Sequence, residues 1–336
     1  MSTPAKPRVA MIGTGGSISI VGRNPYDLYE YGDFGEVLEV DELLARFPEV
    51  TAAADIVPKR FKALPSTSIE PEHWLALNDF VHEVAATEPG IAGIAITHGT
   101  ATLEETAYFL NLTLKIDLPV VVVGAQRPPT GLSTDTPINL LNAAQVAGSP
   151  AARGLGVLVL LNNEIQAARE VTKTSTLRLE TFRSPDLGML GYADPDGRVA
   201  IYRAPTRRHA PDTIFDVRGR TDLPRVDITY SYGGADGTAI RAFVEAGAKA
   251  IVAAGMLPGM TTRAERHALL QARERGVVVI QSHRGESGRV IRRTKLQERG
   301  LIAADNLNPQ KARVLAMLAL TRTADPDEIQ GYFDEY

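Results

Sequence analysis

Apolar runs alternate with segments of helical periodicity through the first two hundred residues. Four short runs rich in Val and Ile predict buried strands of a mostly parallel sheet: Arg8–Ile12, Ile91–Thr97, Val120–Gly124 and Val157–Leu161. Three segments between them have apolar residues at helical spacing: Pro71–Ala86, Leu103–Leu114 and Ile138–Ala147. Thr102 and Glu105 predict a capping box at the start of the second helix. Such an alternation indicates right-handed βαβ units.

The pattern breaks at 203–224, which holds three prolines, many charges and no periodicity. Apolar runs and helices then resume. They predict strands at Val226–Tyr230, Lys249–Ala254 and Val277–Gln281, and helices at Gly237–Ala246, Arg263–Arg275 and Pro309–Leu320. Asn308 is expected to cap the last of these helices. We therefore predict an α/β protein with a large, mostly parallel-sheet N-terminal domain (1–205), a linker (206–224) and a smaller α/β C-terminal domain (225–336).

Composition narrows the class of protein. A length of 336 residues suits two domains, and a net charge of −4 gives no basic field for nucleic acid. No apolar run is long enough to span a membrane, and the first eight residues lack the apolar core of a signal peptide, so a cytoplasmic protein is expected. The chain has no cysteine, which excludes disulfides, a thiol nucleophile and thiolate-bound metal.

Two of the predicted strands end in a glycine–threonine turn, 13–17 (Gly-Thr-Gly-Gly-Ser) and 98–101 (His-Gly-Thr-Ala). The carboxyl ends of strands are where an open α/β sheet carries its chemistry. The first turn is not a dinucleotide fingerprint, because Ile18 stands where a third glycine is needed. It is either a plain strand-to-loop turn or the site of a nucleophile, Thr14, with backbone N–H groups as an oxyanion hole.

A threonine hydroxyl needs a base to take its proton. None of the six histidines has a triad or metal-ligand spacing, and His98 is expected to be structural. Lys173, in a run of threonines and serine, is a candidate if burial lowers its pKa, the alternative being a solvated surface lysine. The sequence indicates no metal site and no cofactor.

Several segments together resemble the bacterial-type asparaginase family, which comprises L-asparaginases and glutaminase-asparaginases. They span nearly the whole chain: Thr14-Gly15-Gly16, His98–Leu110, Val122–Pro128, Val171–Thr174 and Leu307–Arg313. The resemblance implies two α/β domains, a homotetramer, and an active site completed by the C-terminal domain of a neighbouring subunit. It also implies amide hydrolysis through an acyl-enzyme on the first threonine, with release of ammonia.

By motif position, the resemblance assigns Thr14 as the nucleophile and Thr100 with Lys173 as the second threonine and its lysine. The mobile first-loop tyrosine of the family best matches Tyr31, with Tyr26 and Tyr29 as close competitors. The serine that binds the substrate carboxylate in the family matches Ser66.

The departures from the family concern recognition of the substrate. The family has aspartate directly after the second threonine, where it holds the α-ammonium of the substrate, and this chain has Ala101. Thr67 and Ser68 replace a glutamine and an aspartate, and Gly233-Gly234 lies where an asparagine is usual. One explanation is that another carboxylate binds the substrate ammonium in place of the missing aspartate; the candidates are Glu286, Asp135 and Asp236. The other explanation is that the substrate carries no ammonium.

The resulting prediction is an amidohydrolase that converts L-asparagine to L-aspartate and ammonia. The alternatives are hydrolysis of another carboxamide, either glutamine or an amide without an α-ammonium, and a non-catalytic amide-binding protein on the same scaffold. The expected partner is a small amide, with no nucleic acid and no membrane, in a homotetramer whose sites are shared between subunits.

Overall fold

The computed structural model describes residues 5–336, so Met1–Pro4, used above to predict the compartment, lie outside the described residues. Contacts divide the chain into a first unit that ends at Gly219 and a second unit, Arg220–Tyr336. The strands of the first unit are β1 Arg8–Gly13, β2 Ile20–Val21, β3 Glu36–Val37, β4 Asp55–Arg60, β5 Ile91–Thr97, β6 Val120–Val123, β7 Val157–Leu161, β8 Glu164–Ala167, β9 Thr172–Lys173, β10 Phe182–Arg183, β11 Gly191–Ala193 and β12 Val199–Ile201. Its α-helices are α1 Tyr31–Phe34, α2 Val40–Arg46, α3 Pro71–Thr87, α4 Leu103–Thr113 and α5 Thr136–Ala147.

Eight strands form the main sheet, in the order β12-β11-β8-β7-β6-β5-β1-β4. β4, β1, β5, β6 and β7 are parallel, and β8, β11 and β12 add an antiparallel edge. β1 and β5 are neighbours in a register that pairs Gly13 with Thr97. The residues that follow these two strands therefore emerge side by side at one edge of the sheet.

Helices cover the sheet on both faces, and this explains the unbroken apolar runs of its central strands. α5 contacts β5, β6 and β7, and its buried residues share a core cluster with Ala95, Val121 and Leu158. α3 contacts β5, and α4 contacts β6 and β7; the residues of these two helices, all within the described chain, lie outside that cluster. Trp74 of α3 stacks on Phe109 of α4 at 5.5 Å, and its indole N–H donates to the Thr106 hydroxyl at 2.9 Å. The predicted α/β class with a mostly parallel first sheet is confirmed.

The capping box predicted for α4 is wrong, although the helix begins at Leu103 as expected. The Thr102 side chain accepts no cap hydrogen bond; its hydroxyl donates to the Ser66 carbonyl at 2.8 Å. The carbonyl of a neighbouring turn thus takes the hydroxyl that sequence rules assign to the helix terminus. This contact ties the start of α4 to the 3₁₀ turn Ser66–Ser68.

Part of the segment predicted as a linker packs within the first unit. Phe215 and Val217 are buried, the Thr213 hydroxyl donates to the Leu112 carbonyl, and the Ala210 N–H donates to the Asn111 carbonyl at 2.8 Å. These contacts fasten the segment to α4.

The second unit is a smaller α/β fold. Its strands are β13 Val226–Tyr230, β14 Ala250–Gly255, β15 Val278–His283 and β16 Ile302–Ala303, parallel throughout and in that spatial order. Its helices are α6 Thr238–Glu245, α7 Arg263–Glu274, α8 Thr294–Glu298, α9 Pro309–Ala319 and α10 Pro326–Glu335. The predicted cap of α9 is confirmed, because the Asn308 side chain accepts the Lys311 N–H at 3.0 Å. Within residues 5–336, no helix is long and apolar enough to cross a membrane.

Candidate active site

The two glycine–threonine turns touch through their backbones. Gly15 and Gly16 have φ of +86° and +83°, a region that favours glycine. A Cβ on Gly16 would lie 2.1 Å from Gly99 Cα, and one on Gly99 would lie 2.6 Å from Ser66 Cβ. Neither position can hold a side chain without backbone movement, so the distance between the turns is fixed by the main chain.

Thr14 is buried at the start of the first turn, with 2% of its surface exposed. Its N–H and its hydroxyl both donate to the Thr97 carbonyl, at 3.1 and 2.7 Å. Because the hydroxyl proton is donated to the Thr97 carbonyl, the lone pairs of Thr14 Oγ1 point away from that carbonyl.

Thr100 and Lys173 are brought together from separate parts of the chain. The Lys173 Nζ donates to Thr100 Oγ1 at 2.8 Å, and Thr100 is 5% exposed. Burial lowers the pKa of Lys173 below its ordinary value, while the nearby charge of Glu104 opposes that shift. Lys173 is therefore a half-buried amine in contact with a hydroxyl rather than a solvated surface lysine.

Glu104 was not among the predicted site residues. Its carboxylate is 6% exposed and accepts the backbone N–H of Lys173 at 2.8 Å. The available signal was the pair Glu104-Glu105 at the start of a helix that is otherwise mostly apolar. Such a helix is buried on most sides, which makes a buried glutamate with a specific partner a reasonable expectation.

Ser66 lies against the Thr100 turn. Its Oγ accepts the Ala101 N–H at 3.3 Å, and its side chain is buried. Ala101, Thr67 and Ser68 are exposed in the chain as described. Ser66 thus lies against the Thr100 turn, and the three positions that depart from the family pattern are each accessible to solvent.

The three candidate tyrosines differ in their surroundings. The Tyr31 hydroxyl hydrogen-bonds the Ser17 side chain in the first turn, and burial together with the charges of Asp135 and Asp27 raises its pKa. Tyr26 and Tyr29 are 83% and 81% exposed. Of the three, Tyr31 is the one in contact with the Thr14 loop.

Two of the three candidate replacement carboxylates accept hydrogen bonds within the structure. Asp135 is buried, and its two oxygens accept the N–H groups of Gln126 and Arg127 and the Asn139 side-chain amide at 2.9–3.0 Å. Asp236, in the second unit, accepts the Thr238 N–H at 2.9 Å, an interaction that lowers its pKa. Glu286 is an exposed residue of the second unit. Asp135 therefore stabilises the loop that follows β6 through its hydrogen bonds to Gln126 and Arg127.

His98 is structural in its contacts. Its Nδ1 lies 2.8 Å from the Gly99 carbonyl, and burial lowers its pKa to about 4, so the ring is neutral at pH 7 with the proton on Nδ1. Its Nε2 has no hydrogen-bond partner among the described residues. In the same residues, no group of three or more His, Asp or Glu side chains is arranged to hold a metal ion.

The first unit therefore brings two buried hydroxyls, an amine with a lowered pKa and glycine-rich backbone to one edge of the sheet. Nucleophilic attack on a carbonyl requires a hydroxyl, a group that moves its proton, and donors for the developing oxyanion. The site contains candidates for each.

Comparison with known proteins identifies the family of both halves of the chain. Residues 8–207 match the family model "Asparaginase, N-terminal", and residues 225–333 match "Glutaminase/Asparaginase C-terminal domain". The chain is 42% identical to "L-asparaginase 2" of Bacillus subtilis, over 98% of this chain and 87% of that protein. It is 41% identical to "Glutaminase-asparaginase" of Pseudomonas fluorescens, over 98% of this chain and 90% of that protein.

A solved structure is similar along the whole fold. The crystal structure of a "Probable Cytoplasmic L-asparaginase" from Campylobacter jejuni superposes with a TM-score of 0.93 at 41% identity, covering 98% of this chain and 100% of that one. Both domains of the fold and nearly the full sequence are thus shared with named amidohydrolases. The chain belongs to the asparaginase and glutaminase-asparaginase family.

Proposed function

We propose that this amidohydrolase cleaves a short linear carboxamide through an acyl-enzyme on Thr14. The observation that carries the proposal is the 2.8 Å hydrogen bond from Lys173 Nζ to Thr100 Oγ1, beside the turn that holds Thr14. A protein that only bound amides would gain nothing from placing a buried amine against a hydroxyl, because burial of the amine opposes its charge. The contact therefore favours catalysis over binding alone.

In the proposed reaction, Thr14 Oγ1 attacks the amide carbon and backbone N–H groups of the glycine turns stabilise the oxyanion. The C–N bond then breaks as the nitrogen takes a proton. Ammonia departs, and the acyl group remains as an ester on Thr14. Water then attacks the ester, which releases the carboxylic acid and restores the hydroxyl. Tyr31, which contacts the Thr14 turn through Ser17, and the Thr100–Lys173 pair move the protons.

The family reaction, L-asparagine to L-aspartate and ammonia, is the first to be tested. Ser66 is the residue proposed to bind a substrate carboxylate, and Ala101, whose N–H it accepts, supplies no charge for an α-ammonium. An amine that loses its only buried counter-charge costs roughly 3–5 kcal/mol. We therefore expect weak turnover of L-asparagine.

A second candidate substrate is an amide acid without an α-ammonium. The observation that favours it is the full engagement of Asp135, whose oxygens already hold Gln126, Arg127 and Asn139. A carboxylate used in this way is not available to replace the missing aspartate. Succinamate, which is L-asparagine without its amino group, is the simplest member of this class.

Assembly as a homotetramer with shared sites is also part of the proposal. The second unit exposes the large side chains of Tyr230, Tyr232 and Leu257 at or just after the carboxyl ends of β13 and β14, and we expect them to contact another copy. Light scattering tests it, and a fully active monomer would refute it. A cytoplasmic location is proposed because the similar Campylobacter jejuni protein is a probable cytoplasmic L-asparaginase.

The deciding experiment measures ammonia release from L-asparagine, L-glutamine and succinamate by the parent protein and by Thr14→Ala. Release that depends on Thr14 supports the proposed mechanism, and the order of the three kcat/KM values identifies the substrate class. No release from any of a broad panel of amides would support a binding protein instead.

A further inference from the structure

Glu104 links three parts of the candidate site. It is the second residue of α4, and its Oε2 accepts the backbone N–H of Lys173 at 2.8 Å. The side chain of the same lysine reaches Thr100 Oγ1 at 2.8 Å. One carboxylate thus connects the start of α4 and strand β9 to the hydroxyl of the second turn.

We infer that Glu104 is the positioning residue of the Lys173–Thr100 pair and the negative charge that balances the Lys173 ammonium. The inference deepens the proposed function and rests on it, since Lys173 is assigned there to proton transfer. Neither the composition nor the family resemblance assigned a role to this residue.

Lys173 needs a restraint from outside its own strand because β9 is very short. The strand has two residues, and its partner β10, with Phe182 opposite Lys173, also has two. So short a ladder restrains a side chain poorly. The Glu104 bond fixes the Lys173 backbone from the rigid start of a helix, where the helix dipole also favours a carboxylate.

Among the charged residues on the elements around Lys173, Glu104 is the one whose charge affects the Lys173 pKa. α4 carries Glu104 and Glu105, and β10 carries Arg183, which is exposed and donates to the Glu180 carbonyl. Glu104 is the group whose charge acts on the Lys173 ammonium. Ala101, on the other side of Thr100, contributes no charge.

The sign of the effect on activity follows from these charges. Burial lowers the pKa of Lys173 and Glu104 raises it, so removal of the Glu104 charge lowers that pKa further. A base that must be unprotonated then works at lower pH. The acidic limb of the kcat/KM profile, which reports the pKa of the base in the free enzyme, should move to lower pH.

The test is the pH profile of ammonia release by the parent, Glu104→Gln and Glu104→Asp. Glu104→Gln keeps an oxygen for the Lys173 N–H but loses the charge, and should move the acidic limb down by about one pH unit. Glu104→Asp keeps the charge but withdraws it by one methylene, and should leave the limb in place while kcat falls about tenfold. Glu105→Gln, one residue along α4, is the matched control and should move neither.

An unshifted limb in Glu104→Gln, or the same shift in Glu105→Gln, would overturn the inference. If Glu104→Gln does not fold, Glu104→Asp decides, and unchanged kcat would count against positioning. If the parent hydrolyses no amide, the proposed function fails. A ¹³C NMR titration of lysine Cε, assigned with Lys173→Met, then decides separately whether Glu104→Gln lowers the Lys173 pKa.

Discussion

Ala101→Asp is the substitution that examines substrate recognition most directly. Ala101 follows Thr100, and its N–H donates to Ser66 Oγ at 3.3 Å, so an aspartate here would place a carboxylate beside the residue proposed to bind the substrate carboxylate. It would meet the α-ammonium of L-asparagine and nothing comparable in succinamate. The substitution should therefore raise activity on one substrate and not on the other.

The size of the gain can be bounded. A hydrogen bond to a charged group contributes about 1.5–3 kcal/mol, and a factor of ten corresponds to about 1.4 kcal/mol. Because residue 101 is exposed in the described chain, solvent screening discounts the upper end. We expect kcat/KM for L-asparagine to rise about tenfold to a hundredfold. The new charge should also raise the pKa of Lys173 and move the acidic limb to higher pH.

The assay compares initial rates of ammonia release from L-asparagine and succinamate, with Ala101→Asn as the uncharged control of similar shape. The reasoning is refuted if the parent already prefers L-asparagine and Ala101→Asp brings no gain or a loss. A carboxylate elsewhere would then hold the ammonium, and Glu286→Gln would be the first variant to examine. Equal gains in Ala101→Asp and Ala101→Asn would refute a role for charge.

Three further predictions concern the hydrolytic residues. Thr14→Ala should keep the fold, checked by circular dichroism, and abolish turnover; activity within tenfold of the parent would move the nucleophile elsewhere, first to Thr100. Lys173→Met should lower kcat by about 10²–10⁴ with little change in melting temperature, whereas unfolding with normal residual turnover would make the lysine structural. Tyr31→Phe should lower kcat by about 10²-fold or more, while Tyr29→Phe, at a residue 81% exposed, should not; equal effects would contradict the choice of tyrosine.

The pattern of apolar residues predicted the central strands because those strands are covered on both faces. It did not identify β4, whose sequence Asp55–Arg60 is mostly polar and contains Pro58. β4 is an edge strand, where a missing N–H is tolerated and only partial burial is required. The short antiparallel strands β8, β11 and β12 were also missed, since segments of three or four residues carry little periodicity.

How well the sequence predicts the position of a site residue depends on whether that position is set by a strand end or by a long-range contact. The ends of β1 and β5 place Thr14 and Thr100 at one edge, because neighbouring parallel strands end together. The contact of Thr100 with Lys173 joins residues 73 apart in the chain, and no local pattern encodes it. Local rules also misassigned Thr102, whose hydroxyl found a carbonyl 36 residues away.

The backbone contact between Gly16 and Gly99 distinguishes two sets of positions: those at which a substitution would move the threonine turns, and those at which it would not. The spacing of the threonine turns depends on the absence of side chains at these glycines, and an added Cβ would lie 2.1 Å from main chain. Residues 67, 68 and 101 are exposed and carry no part of that spacing. With the recognition role proposed for these positions, we expect mutations there to change which amide is accepted and to leave the hydrolytic residues in place. We therefore expect related chains that accept other amides to differ at these three positions and to keep glycine at positions 16 and 99.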